Sequence, residues 1–120
     1  MEVKKETKYV IDAKDRSLGR IAAEAAVLLT GKNLASFTRG KTPNCQVEII
    51  NASHLKMREK KLATKEYKRF SGYPGGLQKE TMAHFIKRRG IEEAVKRAVY
   101  GMLPKNRLRA VIIRNIIIKK

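Results

Sequence analysis

A helical pattern between two short apolar segments constrains the fold of this chain more than any other feature. The apolar positions of this helix recur on one face: Leu18, Ile21, Ala22, Ala25, Leu28 and Leu29. Ser17 is a suitable N-cap residue, and Gly31 is a suitable C′ residue. Tyr9-Val10-Ile11 before the helix predicts a short buried strand, and Val47-Glu48-Ile49-Ile50 after it predicts a second. Two strands joined by a helix predict a parallel pair with a right-handed crossover.

The remaining chain continues this mixture of elements. We expect a short helix over residues 54–61, a weaker strand over 67–70, and helices over 82–89 and 91–102. Residues 108–118 predict one or two helical turns and then a strand, because Ile116-Ile117-Ile118 is β-branched. The sequence therefore predicts a three-layer α/β/α domain with a roughly four-stranded, mostly parallel central sheet. Residues 1–120 are expected to form one domain, with residues 1–8 as a flexible N-terminal extension.

The net charge of the chain is +17 and is unevenly distributed. Residues 1–60 hold 12 Lys and Arg against 7 acids, whereas residues 61–120 hold 16 against 4. Such an excess of positive charge indicates a nucleic acid or an anionic membrane as partner. No segment approaches the roughly 20 apolar residues of a membrane-spanning helix, and no secretory signal precedes the first strand, so we expect no membrane partner.

A glycine-rich loop lies in the more basic half. The residues Ser71-Gly72-Tyr73-Pro74-Gly75-Gly76 cannot continue a helix or a central strand. The cations that flank this loop are Lys65, Lys68, Arg69 and Lys79. Close backbone approach, positive charge and the flat ring of Tyr73 suit a polyanion with exposed bases or sugars. An ordinary solvent-exposed connection is the alternative interpretation.

The sequence contains no catalytic or metal-binding pattern. His54, His84 and Cys45 are too widely spaced to indicate a zinc site, and Ser71 lies in no nucleophile motif. We therefore expect no enzymatic activity, no cofactor, no metal and no small-molecule substrate. A nucleotide-binding enzyme is an alternative, but the segment over residues 14–17 lacks the glycine turn that it needs. A DNA-binding module is a second alternative, without a helix-turn-helix or zinc signature.

Two motifs resemble those of a known family. The Ser71–Gly76 loop and the run Gly101-Met102-Leu103-Pro104-Lys105-Asn106 are similar to motifs of the large-subunit ribosomal protein thirteen family, in its bacterial-type form. Shorter segments over residues 9–13, 18–22, 29–32 and 47–52 resemble its first strands and helix. The chain departs from the family pattern at Phe70, where members usually carry histidine, and it lacks the usual C-terminal tail.

The resemblance implies a four-stranded parallel sheet between helices and a structural role in the large ribosomal subunit. It implies ribosomal RNA and neighbouring large-subunit proteins as partners, and a role in subunit assembly and translation. The cytoplasm is the expected location, with an organellar ribosome as the alternative; the lone Cys45 fits a reducing compartment.

The expected RNA-binding residues come from the basic segments and the two motifs. Arg16 and Arg20 are included because cations near a helix N-terminus oppose its macrodipole, which indicates an anion or a carboxylate as a nearby partner. The full set is Arg16, Arg20, Lys32, Arg39, Lys41, Lys60, Lys61, Lys65, Lys68, Arg69, Ser71, Gly72, Tyr73, Pro74, Gly75, Gly76, Lys105, Asn106, Arg107 and Arg109.

Overall fold

Strands and helices alternate along the chain in a mixed α/β fold. The structure, a computed structural model, describes residues 7–33, residue 35 and residues 45–120. The strands are β1 (Thr7–Asp12), β2 (Cys45–Ile50), β3 (Glu66–Phe70), β4 (Leu77–Thr81) and β5 (Ile116–Ile118). The helices are α1 (Leu18–Thr30), α2 (Glu59–Thr64), α3 (Met82–Arg89), α4 (Ile91–Met102) and α5 (Arg109–Ile112). Short 3-10 turns span Ala52–His54 and Ile113–Asn115.

A parallel sheet with the order β1-β2-β5 forms the centre of the fold. The parallel pairing of β1 with β2 across α1 confirms the predicted strand–helix–strand unit. β1 begins at Thr7, so Thr7 and Lys8 lie in the sheet and not in the predicted N-terminal extension.

Helix α1 has the predicted bounds and the predicted end. Gly31 follows it with φ 78°, a left-handed conformation that costs glycine nothing, and its N–H donates to the carbonyl of Leu28 at 3.3 Å. Ser17 occupies the N-cap position, but its side chain accepts no capping hydrogen bond. The start of α1 is therefore fixed mainly by its buried apolar residues.

The hydrophobic core lies between one face of the sheet and the helices α1 and α4. Ile11 pairs with Ile49, and Val47 pairs with Ile116, so the side chains within each pair lie on the same face of the sheet. The helices contribute fully buried residues to the same cluster: Ile21, Ala22, Ala25, Leu29, Val95 and Val99. Burying one large aliphatic side chain stabilises a fold by about 1.5–3 kcal/mol, so this cluster holds α1 and α4 on the sheet.

The opposite face of the sheet carries charge. Glu48 of the central strand is buried, and its carboxylate lies 2.7 Å from Lys119 Nζ and 3.1 Å from Lys8 Nζ. The hydrogen bonds from Lys119 and Lys8 lower the pKa of Glu48 below its ordinary value. Val10, which the sequence places in a buried strand, points to this face and is 60% exposed, because successive strand residues alternate between faces.

Strands β3 and β4 form a separate antiparallel hairpin. The described residues therefore contain a three-stranded parallel sheet and a two-stranded hairpin, and not one sheet of about four strands. Nearly all residues of β3 and β4 are exposed, so neither strand suits the interior of a sheet. β4 was not predicted, because Leu77-Gln78-Lys79-Glu80-Thr81 has little β-propensity.

The other predicted elements are found with small shifts. The helix expected over residues 54–61 is replaced by the turn at Ala52–His54 and by α2, which begins at Glu59. The helices expected over 82–89 and 91–102 are confirmed as α3 and α4. The segment 108–118 forms helical turns and then β5, as predicted.

Candidate nucleic-acid interface

The glycine-rich loop forms the tip of the β3–β4 hairpin, and we call residues 71–76 the hairpin tip. The N–H of Ser71 donates to the carbonyl of Gly76 at 3.3 Å, and the N–H of Gly76 donates to the carbonyl of Tyr73 at 2.9 Å. Gly75 has φ 76°, which disfavours any residue with a Cβ. A Cβ on Gly76 would overlap Ser71 Oγ and lie 3.0 Å from the carbonyl oxygen of Tyr73. The tip conformation therefore favours glycine at position 75, and a side chain at position 76 would force Ser71 and the tip backbone to shift.

Apolar and aromatic side chains are exposed at and beside the hairpin tip. Tyr73 is 75% exposed, Phe70 is 64% exposed and Leu77 is 52% exposed. Phe70 and Leu77 are paired across the hairpin, so they extend the apolar surface at the tip from both strands. Exposed rings of this kind can stack on bases or pack on sugars.

The inner face of the hairpin packs on α3 and α4. The rings of Tyr67 and Phe85 lie 4.7 Å apart, at an interplanar angle of 51°. The guanidinium of Arg97 lies over both rings, 4.5 Å from the centroid of Tyr67 and 5.5 Å from that of Phe85. A cation over aromatic faces is attracted by the ring quadrupoles, so these three side chains join the hairpin to both helices.

An ion-pair network fixes β4 to α3. Glu80 accepts two hydrogen bonds from Arg88, 2.9 Å from Nε and 2.8 Å from Nη2, and its Oε1 lies 2.6 Å from His84 Nδ1. Thr81 Oγ1 accepts the N–H of His84 at 3.4 Å and so caps α3. The paired hydrogen bonds from Arg88, together with His84, lower the pKa of Glu80 to about 2.

The stabilising effect of Glu80 is expected to disappear in acid. Because its pKa is lower in the folded chain, its contribution is complete above about pH 4.5 and is lost as the pH falls toward 2. The difference in unfolding free energy between wild type and Glu80→Gln should therefore shrink over this range, as measured by urea denaturation. Glu93→Gln serves as control, since Glu93 forms no salt bridge within the described ranges. An equal acid dependence in both variants would contradict the assignment.

A groove lies between the inner face of the hairpin and the helices α3 and α4, and we call it the first cleft. Its volume is about 740 Å³. Two described acids line this cleft, Glu80 and Glu93. The charge of Glu80 is neutralised by its salt bridge with Arg88. Seven cations line it: Lys68, Arg69, Lys79, Arg88, Arg89, Lys96 and Arg97. The surplus of cations makes this cleft attractive to phosphates.

The second cleft lies between the hairpin, α2, the start of α1 and the end of α4. Its volume is about 480 Å³, and its cations are Lys61, Lys65, Lys68 and Arg97. Among the residues that the structure describes, Glu66 is the one acid that lines it. Lys68, Arg97 and Tyr67 line both clefts, so the two basic surfaces meet at the base of the hairpin.

The two clefts unite only part of the predicted RNA-binding set. Lys61, Lys65, Lys68 and Arg69 line them, and residues 71–76 form the adjoining tip. Lys32 follows the C-terminal end of α1, whereas the second cleft lies at the start of this helix. The two ends of the helix are about 20 Å apart. Lys60 is exposed on α2 and lines neither cleft, and Arg39 and Lys41 lie outside the described residues.

The arginines near the start of α1 differ from each other. Arg16 donates to Glu24 at 2.6 Å, so the anionic partner that the sequence predicts for it is a carboxylate of α1 itself. Arg20 is exposed. The charge of Arg16 is therefore already balanced within the protein, whereas Arg20 lies at the surface.

The later motif forms a turn between α4 and α5. Lys105 and Arg107 are exposed there, whereas Asn106 Oδ1 accepts the N–H of Arg109 at 3.1 Å and so supports the turn. The guanidinium of Arg109 lies 4.0 Å from the ring centroid of Tyr100. Arg109 Nε is buried and has no hydrogen-bond partner among the described residues. Asn106 and Arg109 thus have structural contacts of their own.

The first cleft also contains cations that the predicted RNA-binding set leaves out. Arg88 and Arg89 at the end of α3, and Lys96 and Arg97 on α4, all line it. A signal was present in the spacing of Glu93, Arg97 and Tyr100, which places an acid, a cation and an aromatic on one helical face.

The part of the chain that the structure describes contains one free cysteine, Cys45. No group of three or more His, Cys, Asp or Glu residues there is arranged to hold a metal ion. Cys45 is buried and its thiol donates to the carbonyl of Leu28 at 3.2 Å, and burial raises the pKa of this thiol. None of the helices in these ranges is both long enough and apolar enough to cross a membrane.

Comparison with known proteins identifies relatives along nearly the whole chain. The chain is 45% identical over 107 residues to a large ribosomal subunit protein uL13 of Pelotomaculum thermopropionicum, covering 89% of this chain and 74% of the relative. It is 40% identical over 112 residues to uL13 of a Synechococcus species, covering 93% and 74%. It is 43% identical over 108 residues to uL13 of Treponema pallidum, covering 90% and 75%. The family model described as ribosomal protein L13 matches residues 6–118, and the chain therefore belongs to the ribosomal protein L13 family.

Proposed function

We propose that this chain is a structural constituent of the large ribosomal subunit that binds ribosomal RNA and catalyses no reaction. The observation that carries the proposal is the meeting of two cation-lined clefts at a hairpin whose glycine tip disfavours added side chains. Membership of the L13 family and the names of its relatives support the ribosomal assignment. Neighbouring large-subunit proteins, a role in subunit assembly and translation, and a cytoplasmic location belong to the same proposal.

In this proposal the cations of the clefts neutralise RNA phosphates, and the hairpin tip recognises the shape of the RNA. Each Lys or Arg that pairs with a phosphate releases counterions, which favours binding. Lys61, Lys65 and Lys68 would engage one RNA segment along the second cleft. The tip would approach a groove or junction through backbone amides, and Tyr73 would pack on a base or a ribose. The protein would thus hold RNA segments against one another.

A nucleotide-binding enzyme is less well supported than RNA binding. The connection between β1 and α1 contains Lys14-Asp15-Arg16-Ser17, with no glycine through which a backbone could cradle a pyrophosphate. Asp12 Oδ1 in that region accepts hydrogen bonds from Asn51 Nδ2 and from the N–H of Lys14, both at 3.0 Å. Its carboxylate therefore ties β1 to the segment after β2 and is not free for chemistry.

Co-sedimentation with ribosomal subunits tests the proposal. We expect tagged protein expressed in cells to sediment with large subunits and to stay bound through a moderate-salt wash. Protein that sediments with small subunits, or that remains in the soluble fraction, would contradict the assignment.

Replacing Gly75 and Gly76 together by Val is expected to impair incorporation into large subunits. Valine is disfavoured at the positive φ of Gly75, and its Cβ at position 76 would overlap Ser71 Oγ, so the tip must change shape. The melting temperature of the free protein should move little, because the tip is exposed and lies outside the core. Competition against wild-type protein during assembly, with thermal melts alongside, measures both effects.

Ala83→Val provides the matched control for this variant. It also places a β-branched side chain at an exposed position, here in α3, near the base of the hairpin and away from its tip. Normal incorporation of the double-valine protein would show that the tip is an ordinary connection. Functional importance would then shift to the two clefts.

A further inference from the structure

We propose that the first cleft receives an unpaired RNA nucleotide whose base stacks on the guanidinium of Arg97. The inference rests on the proposed RNA-binding function and specifies the kind of RNA that this cleft takes. It predicts that the protein distinguishes RNA with an extruded nucleotide from uninterrupted duplex.

The planar guanidinium of Arg97 is held in place by two aromatic rings, and we call it the platform. It lies 4.5 Å from the Tyr67 centroid and 5.5 Å from the Phe85 centroid, so cation–π attraction fixes its position at the cleft wall. Phe85 is buried and Tyr67 is half-buried, so Arg97 is the most exposed of the three side chains. Arg97 is exposed and lines the cleft. Unstacked RNA bases are recognised by stacking on arginine planes as well as on aromatic rings.

The charge of Arg97 remains available to a ligand. Among the residues that the structure describes, no acid forms a salt bridge with it. Glu80, the acid closest to the hairpin base in this cleft, is occupied by Arg88 and His84. Lys96 and Arg89 are exposed cations along the same wall, where they can meet the flanking phosphates.

The shape of the cleft favours a nucleotide over a duplex. The cleft is an open groove of about 740 Å³, which is large enough to receive one nucleotide, since small-ligand sites measure roughly 300–1,000 Å³. Double-stranded RNA is instead recognised across its shallow minor groove, by surfaces that follow its shape over many base pairs. A single extruded base can enter this cleft while its neighbours stay paired outside.

Three RNA hairpins of identical stem sequence test the inference with wild-type protein. The first has a fully paired stem, the second carries a bulged nucleotide, and the third carries an abasic nucleotide in the same bulge. We expect the bulged hairpin to bind about tenfold more tightly than the paired one, as one base–platform stack implies. The abasic bulge should bind like the paired stem, because it keeps the phosphate and loses the base.

Two variants separate stacking from charge. Arg97→Lys keeps the charge but removes the planar group, so we expect it to lose the preference for the bulge while its salt dependence stays unchanged. Lys96→Gln removes a charge from the same wall, so it should weaken binding to all three hairpins alike and lower the salt slope by about 1. Thermal melts of both variants show whether the hairpin packing is intact.

The possible results distinguish this inference from the proposed function. Equal wild-type affinity for the bulged and abasic hairpins, with steep salt dependence, would overturn the stacking platform and leave RNA binding standing. A preference that survives in Arg97→Lys would do the same. Weak, salt-insensitive binding to every hairpin would instead count against RNA binding itself.

Discussion

Ile116→Asp is expected to destabilise the free protein by about 3 kcal/mol, because it places an unpaired charge against the core. Ile116 pairs with Val47, whose side chain is fully buried, and it packs on the cluster between the sheet and α4. A carboxylate at this point would be partly desolvated, with no cation of the core to pair with. Chemical denaturation of wild type and variant measures the loss.

Ile117→Asp is the matched control, with the same substitution one residue along the same strand. Ile117 pairs with Glu48, so its side chain lies on the opposite face of the sheet, where Lys8 and Lys119 are located. We expect a clearly smaller loss of stability there, and almost none for Lys120→Asp at the exposed end of the chain. Equal losses at positions 116 and 117 would contradict the assigned register of β5.

The elements that the sequence predicted well are those that local periodicity determines. Helix α1 combines an apolar stripe with Gly31 at its end, so its bounds follow from residues close together in the chain. Likewise, the β-branched run at Ile116–Ile118 predicted β5 correctly. Both elements also place apolar residues in or against the core, and a periodic pattern of apolar residues in a sequence indicates which positions are buried.

The hairpin and its clefts could not be derived in this way. The segment Leu77–Thr81 is a strand because it pairs with β3 across the glycine tip, although its own residues are mostly polar and mostly exposed. Arg97 gains its position from Tyr67, which lies 30 residues earlier in the chain. Contacts between such distant residues leave no periodic trace in one sequence. The residues of the tip were predictable because glycine and proline mark a turn locally.

Binding to large-subunit ribosomal RNA is expected to weaken about a thousandfold or more between 50 and 200 mM salt. This magnitude follows if roughly 6–10 phosphates are neutralised, since each contact releases counterions. The net charge of +17 and the cations of the two clefts supply enough partners for that number. Affinity measured at several salt concentrations gives the slope, and a nearly flat response would refute the polyanion interpretation.

Comparing two pairs of lysines locates the charge that matters. The double variant Lys61→Gln/Lys65→Gln lacks two cations of the second cleft. The slope of log affinity against log salt concentration should therefore fall in magnitude by about 2, and the affinity should fall for every RNA sequence. Lys14→Gln with Lys120→Gln removes two exposed lysines that line neither cleft, so the slope should stay near that of wild type. Net charge changes equally in both proteins, so any difference between them comes from the position of the charge. Equal slopes would mean that the RNA responds to overall charge alone, and that the second cleft is not a binding surface.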